Sequence, residues 1–264
     1  MLTKKLLGIV RVISFSVLFV VSLALSTQAA TTDLGACTII TPSATTTISS
    51  PGFYCLDANS SLDLASETAI TINASNVVLD LNGYTMTNTN GANTALAIGT
   101  TSSPSNVTIN NGKIIGYRDG IGFKSGAKYT IDSINIDVVG KGIDIRADNT
   151  IIRNSFIKGD YRGIIICKGY SCILNNEIVS NGGGIDSCID SVRMIIDGNK
   201  ITTPAANGGN GIFLGELNNL VVNNRFVNWT VGIQGDVGSS KYMDNLFINV
   251  TTKAVGITDA GNNK

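Results

Sequence analysis

RGIIIC, residues 162–167, runs from a guanidinium to a thiol through one glycine and three isoleucines. Alone it reads as a short β-branched strand; its meaning comes from recurrence. Gly-Ile stands again at residues 120–121, 142–143, 184–185, 211–212 and 232–233, and Ala254-Val255 is expected in the same slot. The steps are 22, 21, 21, 27, 21 and 22 residues. One unit is therefore repeated along the chain.

A second marker runs with the first. Asn154, Asn176, Asn199, Asn224 and Asn245 are each followed two residues later by Phe156, Ile178, Ile201, Phe226 and Phe247. Segments such as GIDI, NVVLDL and NLVV alternate over a few residues and stop at Gly, Asn or Asp, which is strand and turn chemistry. A coil of 21–22 residues with two or three short strands is the unit of a parallel β-helix, in which each coil stacks on the last at about 4.8 Å. Equivalent residues then form columns: apolar ones stack inward, glycine sits where the backbone is crowded, and asparagine takes left-handed turn angles while bonding to the asparagines above and below. A leucine-rich repeat would keep LxxLxLxxN, which is not kept here, and a β-sandwich would not hold so regular a step.

The Gly-Ile steps, the Asn column and SNVVLDLNGYTM (residues 75–86) resemble the right-handed parallel β-helix superfamily, the pectate-lyase-like fold. The resemblance implies an all-β, single-stranded right-handed solenoid over residues 67–258. It leaves activity open, because that superfamily holds lyases, hydrolases, epimerases and non-catalytic binding or accessory proteins. Departures from its enzyme patterns are plain: there is no histidine for a GHG motif, no GDD pair and no clear calcium-and-arginine set. Calcium is expected only if the protein is a lyase; otherwise no cofactor and no metal site is expected.

The columns assign the cysteines. Cys167 and Cys188 each lie four residues after the coil glycine, so they fall on adjacent coils within the Cα separation a disulfide tolerates. Cys172 competes for either partner through the short loop CKGYSC. Residues 31–66 precede the regular coils and are expected to cap the open end as irregular strands pinned by Cys37–Cys55, a closure of 18 residues worth about 3 kcal/mol. Residues 259–264, at the other end, are expected to be a frayed polar tail.

Residues 1–30 read as a signal peptide: Lys4, Lys5 and Arg11 lead into VISFSVLFVVSLAL, and STQAA offers a cleavage site. Removing them leaves 16 of the 19 Lys and Arg against 19 Asp and Glu, a mildly acidic mature chain of about 234 residues with no basic field for nucleic acid. No stable membrane insertion is expected after cleavage, and oligomeric state is not legible. Exported cysteines are expected in disulfides. The absence of histidine excludes every imidazole-based scheme. Sequons at Asn59, Asn73, Asn106, Asn228 and Asn249 are no more than the composition predicts.

Chemistry is expected on an outward face. Two positions after the glycine the column reads Gly122, Asp144, Ile165, Asp186, Phe213 and Gln234, so Asp144 and Asp186 lie two coils apart, about 9–10 Å. Side-chain lean brings such a pair into the range of inverting glycosidases. Asp144, Asp186 and Arg162 are the catalytic candidates; Lys141, Arg146, Tyr161 and Tyr170 are the candidates for substrate contact. Aromatic rings offer a second route to sugar contact along one edge of the coil: Tyr117 and Trp229 lie three residues before a coil glycine, Tyr161 two before and Tyr170 in the Cys loop, with Trp229 read as corner packing. The first expectation is an exported β-helix protein that binds an extended polysaccharide along a strand face without catalysis. The alternatives are a polysaccharide lyase or glycoside hydrolase using the same residues, and a structural envelope or adhesin module.

Overall fold

A computed structural model describes residues 37–188, 190–204, 208–235 and 239–264. The leader at residues 1–30 and the start of the expected cap lie outside the described residues. All regular elements among those described are β-strands, and every strand pairing is parallel. The chain coils as a parallel β-solenoid with three strand faces. Face one is a ten-stranded sheet that includes Asp119–Phe123, Lys141–Ile145, Arg162–Ile166 and Gly183–Ser187. Faces two and three form one 18-stranded sheet, because Ser105–Ile115 and Ala127–Val138 run unbroken through the corner between them.

On face one Ile121, Ile143, Ile164, Ile185, Ile212 and Ile233 stand in one register, extended upward by Ile98 and Ile70. All are buried, and burying each side chain contributes about 1.5–3 kcal/mol. The preceding glycine is required by crowding. A Cβ at Gly142 would lie 2.4 Å from Ile157 Cγ2 and 2.6 Å from the carbonyl oxygen of Gly163 in the next coil. This explains one departure from the expected phase. Ile233 pairs with Ala254 and Val231 with Thr252, so Lys253, and not Ala254, occupies the glycine slot, and the last step is 21 residues. No described coil follows Lys253 on face one, so no carbonyl crowds its Cβ.

The asparagine column also needs correction. Asn176 Nδ2 donates to Asn199 Oδ1 at 3.0 Å, Asn199 to Asn224 at 3.0 Å, and Asn224 to Asn245 at 3.2 Å. Each Oδ1 also accepts the main-chain N–H of the ladder asparagine in the coil before. Asn154 is not in this ladder; Ser155 takes the slot, its N–H donating to Asn176 Oδ1 at 3.1 Å. Asn154 belongs to the adjacent column of left-handed residues, with Asn175, Asn223 and Asp244 at φ of 53–55°. Backbone angle and ladder are thus divided between neighbours. Phe156 shifts likewise: it pairs with Glu177, and Ile157 is the inward partner of Ile178.

The ends differ from expectation too. Thr46–Ile48 already pairs with Thr68–Ile72 on face one, and Gly52–Leu56 with Val77–Asp80 on face two, so coil register extends ahead of residue 67. Cys37 and Cys55 are bridged with Cα atoms 5.8 Å apart. The C-terminal residues are paired rather than frayed: Asn245 donates through Nδ2 to Asn263 Oδ1 at 3.1 Å, and Lys264 N–H donates to the Asn245 carbonyl at 2.9 Å. Cys167 and Cys188 are joined across adjacent coils with Cα atoms 4.5 Å apart, leaving Cys172 free. Trp229 and Tyr117 are buried, and Trp229 Nε1 donates to the Ile201 carbonyl at 3.0 Å, a corner-packing role.

Candidate functional site: the outward surface of face one

Strand alternation turns two columns of face one outward. One reads Gly99, Gly122, Asp144, Ile165, Asp186, Phe213 and Gln234; beside it stand Leu96, Asp119, Lys141, Arg162, Gly183 and Asn210. Gly99 and Gly122 carry no side chain where Asp144 does, so the surface sinks in the earlier coils. Leu96 leans into that space, and a Cβ at Gly122 would touch its methyls at 3.2 Å. The result is a cleft of about 690 Å³ lined by Thr68, Leu96, Arg118, Asp119, Lys124, Lys141, Asp144 and Arg146, among others.

Its charges are unbalanced. Lys141 Nζ binds Asp144 Oδ2 at 2.7 Å and Arg146 Nε binds Asp144 Oδ1 at 3.4 Å. Asp119 accepts the Lys141 main-chain N–H at 2.8 Å and pairs with Arg118 at 3.1 Å. Arg118, Lys124, Lys141 and Arg146 thus face two carboxylates that are both already engaged. The cleft presents an excess of cationic donors to solvent.

In the next coil Arg162 Nε donates to Asp186 of the coil after it, its Nη1 donates to the Tyr161 carbonyl at 3.0 Å, and its guanidinium lies 4.4 Å from the centroid of the Tyr161 ring. Tyr161 is 58% exposed. Lys141, Asp144 and Arg146 therefore form one cluster, and Tyr161, Arg162 and Asp186 a second. Asp144 and Asp186 are not brought together: Ile165 stands between them and each is held by its own cation. Tyr170 lies at the opposite corner, between Arg162–Ile166 and Cys172–Leu174, where its hydroxyl accepts from Arg193 Nη1 at 2.9 Å. Arg118, Lys124 and Leu96 were not foreseen. The signal for them was the pair of outward glycines, which open the space those three surround.

A parallel β-helix with a polar outward strand face and disulfide-bridged coils is the class of protein this geometry defines. The chain belongs to the family described as "Periplasmic copper-binding protein (NosD)", whose model matches residues 63–263. The family is periplasmic and the protein is exported. Among solved structures, the A-module of the Azotobacter vinelandii mannuronan C-5 epimerase AlgE4 is similar at a TM-score of 0.44 and 12% identity, over 84% of this chain and 88% of that one. No curated protein matches the chain.

Proposed function

We propose that this protein binds an extended acidic polysaccharide along face one and does not cleave it. The observation that carries the reading is the cationic excess of the cleft, four basic side chains around two carboxylates that are already paired. Beyond it lie the exposed ring of Tyr161, beside Arg162, and then Phe213 in the same column as Asp144, with Asn210 Nδ2 donating to Gln234 Oε1 at 2.8 Å. A chain lying along the solenoid axis would meet charge first, then flat apolar surface and amides. Asp144, Asp186 and Arg162 act in this reading as holders of the charged surface. Tyr170 contributes only to a ligand wide enough to reach the far corner.

The family's description names copper. Copper takes imidazole, thiolate and thioether ligands. This chain has no histidine, Cys172 is the free cysteine among those described, Met86 and Met194 are packed in the core, and half-buried Met243 lies three coils from Cys172. Among the described residues no three His, Cys, Asp or Glu side chains converge. The residues present do not fit the ion.

The test is affinity electrophoresis through gels cast with acidic or neutral polysaccharides, alongside assays for unsaturated products and new reducing ends with and without calcium. Retardation by acidic polymers alone, weakened by Lys141→Ala with Arg146→Ala and accompanied by neither product, is the expected result. Ultraviolet-absorbing product would establish a lyase, and reducing ends a hydrolase. Free migration in every gel would leave a structural envelope or adhesin module.

A further inference from the structure

Face two carries an apolar surface that polysaccharide binding does not use. Its outward positions on Ile151–Arg153, Cys172–Leu174, Ile195–Asp197 and Leu220–Val222 form two columns. One reads Ile151, Cys172, Ile195 and Leu220, the other Arg153, Leu174, Asp197 and Val222. Ile151 and Ile195 are 36% and 41% exposed, and the others are exposed or half-buried. A contiguous apolar surface of this kind marks a contact surface.

We propose that a second copy of this chain covers face two, packed sheet against sheet about a two-fold axis running along the strand Cys172–Leu174. Charge selects this axis. Rotation about that strand inverts the order of the coils and keeps the columns, so Ile151 meets the partner's Ile195 and Arg153 meets the partner's Asp197, each contact made twice by symmetry. An axis one coil away in either direction sets Arg153 or Asp197 against its own copy, and like charges directly opposite are destabilising. Arg153 is steadied by Asp132 at 2.7 Å and Asp197 by Asn223 Nδ2 at 3.1 Å, so both are held at the face.

The contact is small. Five coils at about 4.8 Å, the strand on the axis and two on either side, across a strand and corner about 17 Å wide, give about 400 Å² per copy. The total of about 800 Å² lies below the size of a stable specific interface, so the dimer is weak, transient and concentration-dependent. Packed sheets lie about 10 Å apart, farther than the Cα separation of a disulfide. The two Cys172 thiols therefore face each other across the axis without bonding, consistent with an odd cysteine left free in an exported chain. Face one stays open on both copies.

Sedimentation velocity of the mature protein over a concentration series should pass from monomer to dimer. Leu174→Lys should abolish the dimer, Asp197→Arg should weaken it at least tenfold, and adding Arg153→Glu to Asp197→Arg should restore it, with thermal melts confirming that each variant folds. A bismaleimide spanning about 10 Å should join Cys172 to Cys172 in the wild type and not in Leu174→Lys. A monomer at every concentration would overturn the proposal, as would a dimer indifferent to both single variants. Adsorption of the monomer to lipid vesicles without self-association would overturn it as well.

Discussion

Removing one rung from the asparagine ladder should cost far more than removing an asparagine one residue away. In Asn199→Ala the lost Oδ1 accepted the buried Asn176 main-chain N–H at 2.9 Å and the Asn176 Nδ2 at 3.0 Å. The lost Nδ2 donated to the Ile173 carbonyl at 2.8 Å and to Asn224 Oδ1 at 3.0 Å. Asn176 Nδ2 keeps the Ile152 carbonyl at 3.0 Å, but its main-chain N–H loses the carboxamide. An unsatisfied buried donor costs about 1–3 kcal/mol, and the space left by the carboxamide adds to it, for about 2–4 kcal/mol in all. Urea denaturation followed by circular dichroism reads this as a lower midpoint, and the melting temperature should fall by about 2–4 °C for each kcal/mol. The control is Asn154→Gly. Its Nδ2 reaches only half-buried Asp132 at 3.0 Å, whose carboxylate keeps Arg153, and glycine takes the φ of 53° without strain, so the change should cost about 1 kcal/mol or less. Equal losses in the two variants, or an Asn199→Ala protein as stable as the wild type, would refute the reasoning.

Three further outcomes follow from the same geometry. Gly163→Ala places a Cβ 2.4 Å from Ile178 Cγ2 and 2.5 Å from the Gly184 carbonyl oxygen, and should destabilise by about 1–3 kcal/mol in the same urea assay. Replacing Cys167 and Cys188 together by serine opens a closure of 21 residues and should remove about 3 kcal/mol, measured against the wild type under non-reducing conditions. Titration with Cu(II) or Cu(I) against a competing chelator should give no stoichiometric, saturable uptake, because the donors copper prefers are not assembled; one tightly held equivalent would contradict the donor argument.

The isoleucine stack and the Cys167–Cys188 pair were legible because both follow directly from the 21-residue step. The asparagine phase was legible only in part. Two adjacent columns both favour asparagine for different reasons, one for a left-handed backbone and one for a carboxamide ladder, and a single Asn at 154 does not say which it occupies. The doublets Asn175-Asn176 and Asn223-Asn224 do, since they fill both slots, and set beside them Asn154-Ser155 resolves. Lys253 was misplaced because the glycine requirement comes from the carbonyl of a following coil and lapses where no such strand follows. The Asp144 column was read in correct register, yet its chemistry was not: which cation holds each carboxylate depends on side-chain reach. The apolar surface of face two was visible as runs with apolar residues at both parities, such as Cys172-Ile173-Leu174 and Leu220-Val221-Val222.

Hydrogen–deuterium exchange of the mature protein with and without a saturating acidic polysaccharide tests the central claim most directly. Protection should appear in peptides covering Asp119–Phe123, Lys141–Ile145 and Arg162–Ile166, recurring at the coil period and sparing faces two and three. Protection confined to another face, or none at a polymer concentration that retards the protein in gels, would contradict the assignment of face one as the binding surface.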